Sequence, residues 1–352
     1  MERVDTPTPR RRELIASLPL AAGWGLGASA AAVAGASVAA DIPAARVIGS
    51  EHSARKTVDA SSVRLFLWRK QREDVASGQT PAKSTVVLVH GSSVSSTPSF
   101  DLQVPGRTDS SVMDWLARRG HDVWCFDCEG YGRSDKSRPV NADIACGADD
   151  LAAVTDYILQ RNSNQPVMLY GASSGALRAG LFAQRHPQRV RRLALDALVW
   201  TGQGSPTLAE RKKRVAQYQA NLRRPIDRNM IRSIFTRDHP GTTDQSVAEV
   251  FADAVLALDD SMPTGTYLDM SIHLPVIDPA RIQVPVLIMR GQYDGIASFA
   301  DLAAFFERLP NPDKQFVVMP GIAHTSTRSK NYALVYHLLD SYFSQPLPVY
   351  KG

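Results

Sequence analysis

Ser173, His324 and Asp294 are the residues whose types and surroundings could together carry out acyl transfer. Ser173 stands in Gly171-Ala172-Ser173-Ser174-Gly175, where an apolar strand-like run stops and a segment of helical period begins. A serine on such a sharp turn needs small flanking residues, because its backbone is strained and neighbouring chain passes close. The free amides and positive dipole end of the following helix favour the negative charge that develops when a carbonyl is attacked. A hydroxyl is a weak nucleophile until a base removes its proton, and the resulting imidazolium needs a fixed carboxylate beside it. His324 follows the strand-like run 315–321 and is read as the base; Asp294 follows the run 285–291 and is read as the acid. Asp196, which ends the run RRLALD, is the rival acid.

Two upstream motifs extend the pattern. Residues 85–91 read TVVLVHG, a strand ending in His90-Gly91, and residues 127–135 read DCEGYGRSD, which fits D-x-x-G-x-G-x-S. With serine, aspartate and histidine following in that chain order, residues 84–343 resemble the serine hydrolases of the α/β-hydrolase fold. The resemblance implies Ser173 as nucleophile, His324 as general base and then acid, and Asp294 as the holder of the imidazole tautomer. It implies an oxyanion hole from the backbone N–H groups of Ser174 and Ser92, with His90 shaping that loop and Asp127 and Ser134 shaping a turn. It requires no organic cofactor and no metal.

The elements that must position these groups are legible as alternating strand-like and helical segments. The runs SVRLFLW, STVVLVHG, HDVWCFD, PVMLYG, RRLALD, PVLIMRG and QFVVMPG predict an α/β fold. In the resemblance this becomes a mostly parallel, eight-stranded-type sheet with helices on both faces, its earliest segment antiparallel at one edge. Between residues 201 and 279 no strand-like run occurs, and two stripes fall at helical spacing: Leu208, Val215, Tyr218 and Leu222, then Val247, Phe251, Val255 and Leu258. This predicts a helical cap inserted between core segments 41–200 and 280–352, able to exclude water from Ser173. Trp200, at the cap entrance, is read either as a pocket residue or as hinge packing. Within the cap, residues 207–240 hold nine Arg or Lys against three Asp or Glu, and residues 241–279 hold seven acids and no Arg or Lys. Mutual attraction of two solvated helices explains this imbalance most simply; steering of an anionic substrate is the other reading.

Residues 1–40 resemble a twin-arginine export signal: Arg10-Arg11-Arg12 precedes an uncharged Ala- and Gly-rich stretch ending in Ala39-Ala40. An exported, periplasmic or secreted enzyme is expected, meeting the membrane only in transit, with an uncleaved membrane anchor as the alternative. The whole chain of 352 residues carries a net charge of +5, without a basic stripe interleaved with aromatics outside the cap, so nucleic-acid binding is not indicated. Cys125 and Cys128 lack a second ligand pair for zinc; Cys128 and Cys146 could close a disulfide after export.

The partner expected is a small ester-like molecule, cleaved as a carboxylic ester or lactone through an acyl-enzyme. Carbon–carbon bond hydrolases, peptidases and ligand-binding proteins of the same fold remain alternatives. Ser-Ser-Val after Gly91 differs from the further glycines of hormone-sensitive-lipase-like esterases, and Ala172 and Ser174 differ from the Gly-Ser-Trp-Gly elbow of proline iminopeptidases. A serine at 173 also departs from epoxide hydrolases and haloalkane dehalogenases, which use aspartate there.

Overall fold

The computed structural model describes residues 45–350, so the export-signal reading of residues 1–40 lies outside the described residues. Eight strands form one sheet in the order β1-β2-β4-β3-β5-β6-β9-β10. They are β1 (Val47–Val58), β2 (Ser61–Arg72), β3 (Thr85–Val89), β4 (Asp122–Phe126), β5 (Val167–Ala172), β6 (Val190–Asp196), β9 (Val286–Gly291) and β10 (Lys314–Met319); β7 and β8 lie in the segment between β6 and β9. β2 runs antiparallel to β1 and β4, and every other neighbouring pair is parallel.

The central strands are short runs of Val, Leu and aromatic residues because both faces of the sheet are covered. Val87, Val89, Phe126 and Leu169 point into one core, and Val86, Leu88, Cys125 and Tyr170 point into the other. Helices Ile144–Leu159 and Ser174–Arg185 cover the first face, and helices Val112–Arg118 and Tyr332–Ser344 cover the second. Each fully buried side chain of this size contributes about 1.5–3 kcal/mol. The strand β1 went unread in the sequence because it is an edge: of its twelve residues only Ala54 and Lys56 are buried. Among the described residues no helix is long and apolar enough to cross a membrane.

Register places the chemistry. Val89 pairs with Gly171, Ala172 with Asp196, and Gly291 with Met319, so β3, β5, β6, β9 and β10 end along one edge of the sheet. Their following loops carry His90-Gly91, Ser173, Ala197, Asp294 and His324.

Between β6 and β9 the chain forms helices Pro206–Lys212, Val215–Ala220, Arg228–Thr236 and Gln245–Leu256. Contrary to the strand-free reading of residues 201–279, β7 (Arg223–Pro225) and β8 (Ser261–Pro263) pair antiparallel. They escape pattern reading because three residues show no alternation and each strand ends in proline. The first stripe also breaks: Leu208 and Tyr218 are buried, but Leu222 is exposed, since a turn separates its helices. Val247, Phe251 and Val255 are buried as spaced, with Phe251 edge-on to Phe235 at 5.3 Å.

Candidate active site

Ser173 caps the Ser174–Arg185 helix with φ 59° and ψ −124°, a left-handed conformation that costs about 1–3 kcal/mol for a residue with a side chain. Its amide donates to Asp196 O at 2.9 Å, which helps hold the turn. The two glycines answer to space: a Cβ on Gly175 would lie 2.1 Å from Val89 O, and one on Gly171 would lie 2.4 Å from Gly175 O.

The turn aims Ser173 Oγ at His324 Nε2, 2.9 Å away. On the other side of the ring, Nδ1 lies 3.0 and 3.1 Å from the two Asp294 oxygens. With the proton on Nδ1 donated to the carboxylate, Nε2 is free to accept from the serine hydroxyl. Burial alone would raise the Asp294 carboxyl, but His324 and the amides of Ile296 and Ala297, at 2.8 and 3.2 Å, hold it below the usual carboxylate range. The structure therefore brings Ser173, His324 and Asp294 into one hydrogen-bonded chain.

Asp196 lies outside that chain. Its Oδ2 accepts from Tyr170 Oη at 2.6 Å and from Ser326 Oγ, while Oδ1 is buried without a partner. Burial pushes this carboxyl up to about 6, against the two hydroxyls.

Ser174 follows Ser173 in the turn, and Ser92 is tied to it by a 2.7 Å hydrogen bond from Ser92 Oγ to Ser174 Oγ. Among the described residues neither backbone amide donates to an acceptor, so both remain free for an oxyanion. His90 is fully buried; Cys128 N–H donates to its Nε2 at 3.0 Å, which leaves the ring proton on Nδ1 facing Gly91 O at 2.8 Å. Burial and Arg178 push this imidazole down to about 3, so it is neutral and structural. Asp127 accepts from the amides of Ser96 and Arg133, each at 2.8 Å, and Ser134 Oγ links Asp127 O to the Phe66 amide. Trp200 does not line the cavity over Ser173. Its indole donates to Ile277 O at 3.2 Å and packs on Phe305, a hinge contact.

The cavity over Ser173 is narrow, about 60 Å³, and is walled on one side by Gly91, Ser92 and His324. Arg211, Ile234, Arg237 and Phe251 of the inserted segment form the other wall. Asp238, also inserted, brings a carboxylate within 4.8 Å of the reactive atoms of Asp294 and His324 and accepts from Thr207 Oγ1 at 3.3 Å. Sequence reading named Phe251 only as part of a helical stripe and missed Arg211, Ile234, Arg237 and Asp238 as site residues; the local excess of positive charge signalled the arginines alone. The other cluster with ligand-type groups, Glu129, Cys146 and Asp150, already surrounds the Lys56 ammonium at 2.9 Å from Glu129 and 2.5 Å from Asp150. All three cysteines are free, and Cys146 Sγ faces Lys56 and Glu129 rather than Cys128.

Several solved structures share this fold. A thermophilic esterase from Thermogutta terrifontis is 21% identical, with a TM-score of 0.57 over 83% of this chain and 97% of that one. The esterase EaEST from Exiguobacterium antarcticum is 17% identical, with a TM-score of 0.61 over 84% and 100%. E-2-(acetamidomethylene)succinate hydrolase is 18% identical, with a TM-score of 0.58 over 84% and 100%. At these identities the likeness carries the fold alone. No curated protein matches the chain. Residues 80–330, more than half of the sequence, match the family model described as serine aminopeptidase, S33. The chain belongs to that family, and it is a hydrolase of the α/β-hydrolase superfamily.

Proposed function

We propose that the protein hydrolyses carboxylic esters through an acyl-enzyme, with Ser173 as nucleophile, His324 as base and then acid, and Asp294 as the orienting carboxylate. The observation that carries this reading is the unbroken chain from Ser173 Oγ through His324 to Asp294, at 2.9 and 3.0 Å. Ser173 Oγ attacks the ester carbon and its proton passes to His324 Nε2; the oxyanion is met by the amides of Ser92 and Ser174. The carbon–oxygen bond to the alcohol breaks and the alcohol leaves with the proton from His324. Water then attacks the acyl carbon, gives its proton to His324 and releases the acid, and Ser173 regains its hydrogen.

The family description raises peptide hydrolysis as a second reading. An aminopeptidase has to hold a cationic α-amine, whereas the cavity wall carries Arg211, Arg237 and Arg328, and the one inserted carboxylate beside His324, Asp238, already faces Arg237 at 3.4 Å, which favours the ester. The helices between β6 and β9 would act as a lid that keeps water from the acyl-enzyme.

The test is labelling by a fluorophosphonate probe together with an ester, lactone and aminoacyl-amide panel. Rapid labelling that disappears in Ser173→Ala, with ester turnover, is the expected result. Ligand binding without labelling would make the protein a binder and overturn the proposal.

A further inference from the structure

A second cavity, about 330 Å³, adjoins the first and is walled entirely by the inserted segment. The two share Arg211, Ile234 and Arg237 as a common wall. Its volume reaches the lower end of small-molecule sites, about 300–1,000 Å³. Arg211, Arg214, Arg224 and Arg237 line it against one carboxylate, Glu210, whose oxygens are both taken by Lys213 at 2.7 and 2.9 Å.

These cations are short of counter-charge. Among the described residues Arg211, Arg214 and Arg224 make no ion pair, and Arg237 has Asp238 alone, at 3.4 Å. Arg211 Nη1 and Arg224 Nε are buried without any hydrogen-bond partner. Both guanidinium groups lie over the Tyr267 ring, at 4.5 and 4.3 Å from its centre. Arg224 also donates to Tyr267 Oη at 2.8 Å and to Ser93 Oγ at 3.2 Å, which ties the cluster to the residue after Ser92. The field is strong: burial alone would raise the Tyr267 phenol, yet Arg224, Arg211 and Arg237 bring it down to about 7. Burial, with Arg237 and Arg224 adding to it, pushes Arg211 down to about 10.

A buried charge without a partner costs several kcal/mol, and a cation over an aromatic ring recovers only about 0.5–2 kcal/mol of it. The same segment pairs Arg228 and Arg232 with Glu249 and Asp253, and the guanidinium of Arg223 is met by Gly130 O, Ser261 O and Ser261 Oγ. Tyr267 Oη answers one guanidinium donor of Arg224, and an incoming anion is the partner still missing for Arg211 Nη1 and Arg224 Nε. We propose that this cavity is an anion subsite, and that preferred substrates are esters bearing a second, carboxylate group. Arg211, Arg224 and Arg237 hold that group while the ester carbonyl lies at Ser173. The inference rests on the ester-hydrolase reading and adds the substrate class to it.

The experiment measures kcat/KM for two matched pairs: mono-p-nitrophenyl adipate against p-nitrophenyl hexanoate, and 4-acetoxybenzoate against 4-acetoxybenzamide. The charged member of at least one pair is expected to be favoured about tenfold or more, the size of one charge-assisted contact. The double variant Arg211→Gln/Arg224→Gln is expected to lose that preference. Each ratio comes from one preparation, so a smaller folded fraction cancels. Adipate and adipamide binding to Ser173→Ala, with and without the arginine changes, is read separately by calorimetry. Hydrolysis of both members with no charge preference overturns the subsite alone. Absence of ester hydrolysis, with adipate bound more tightly than adipamide through the arginines, overturns the ester reading and leaves the subsite standing. Adipate bound no better than adipamide, with no kinetic preference, overturns the subsite.

Discussion

The sheet edge and the inserted segment treat charge in opposite ways. At the edge, the carboxylate that matters, Asp294, is met by an imidazole and two backbone amides from its own loop and the next. In the insertion, Arg211 Nη1 and Arg224 Nε are buried beside a cavity without an acceptor. A closed hydrogen-bond chain preorganises a reaction common to a whole fold; uncompensated donors hold capacity for a ligand particular to this chain. In the proposed function, mechanism is placed by the parallel strands and substrate choice by the helices inserted between β6 and β9.

The largest effect that would break this division is at the acid. Asp294→Asn leaves an imidazole with the wrong tautomer, and kcat is expected to fall on the order of 10³–10⁴-fold. Asp196→Asn keeps acceptors for Tyr170 and Ser326, and turnover within about tenfold of the parent is expected, since it does not touch the ring. Steady-state kinetics on both variants, with circular dichroism to confirm folding, decides the matter. Collapse in Asp196→Asn alone would move the acid to β6.

Gly175→Ala comes next. The added methyl meets Val89 O at 2.1 Å and His90 O at 2.6 Å, both backbone atoms, so the helix must leave β3. A loss of about 1–3 kcal/mol in denaturant stability is expected, the usual size for overpacking, with slower fluorophosphonate labelling of Ser173. An unchanged midpoint would mean that the turn is looser than its contacts imply.

How much of this was legible follows from what patterns can record. Buried parallel strands announce themselves as apolar runs, and Gly171 and Gly175 mark the turn because only hydrogen fits beside the Val89 and Gly175 carbonyls. Ser173, Asp294 and His324 could be picked out because each follows such a run. Strand β1 is polar and exposed, so its pairing with β2 leaves no apolar signature. Trp200 was read both as pocket and as hinge; only the path of the chain puts it against Phe305. The charge imbalance of the insertion was visible, but Arg232 and Arg211 are the same letter. Which one meets Glu249 and which meets a cavity depends on helix rotation and packing, which no local spacing encodes.

Asp196 sharpens the comparison through pH. Its carboxyl rises to about 6 in the folded state, above the unfolded value near 4. The folded state therefore holds this proton longer, so the group favours folding at acid pH, and that contribution is lost as pH rises from about 4 through about 6. Across that window Asp196→Asn is expected to gain on the order of 1–3 kcal/mol relative to the parent, by urea unfolding at pH 4 and pH 7. A constant difference would show that Asp196 is ionised throughout.

The smallest effect belongs to the outer face of the insertion. Arg232 reaches Glu249 at 2.6 and 2.8 Å, a bidentate geometry, but its side chain is 47% exposed and water competes for both partners. Exposed pairs of this kind are largely offset by side-chain entropy and screened by salt. Arg232→Gln is expected to move the thermal midpoint by no more than about 2 °C at low salt and by nothing measurable at high salt. It should also leave the charged-to-neutral substrate ratio where the parent has it, because Arg232 lines neither cavity. Should Arg232→Gln erase that ratio as fully as Arg211→Gln/Arg224→Gln, selectivity would come from the net charge of the helices at long range, and the buried, unpaired donors would have no special part in it.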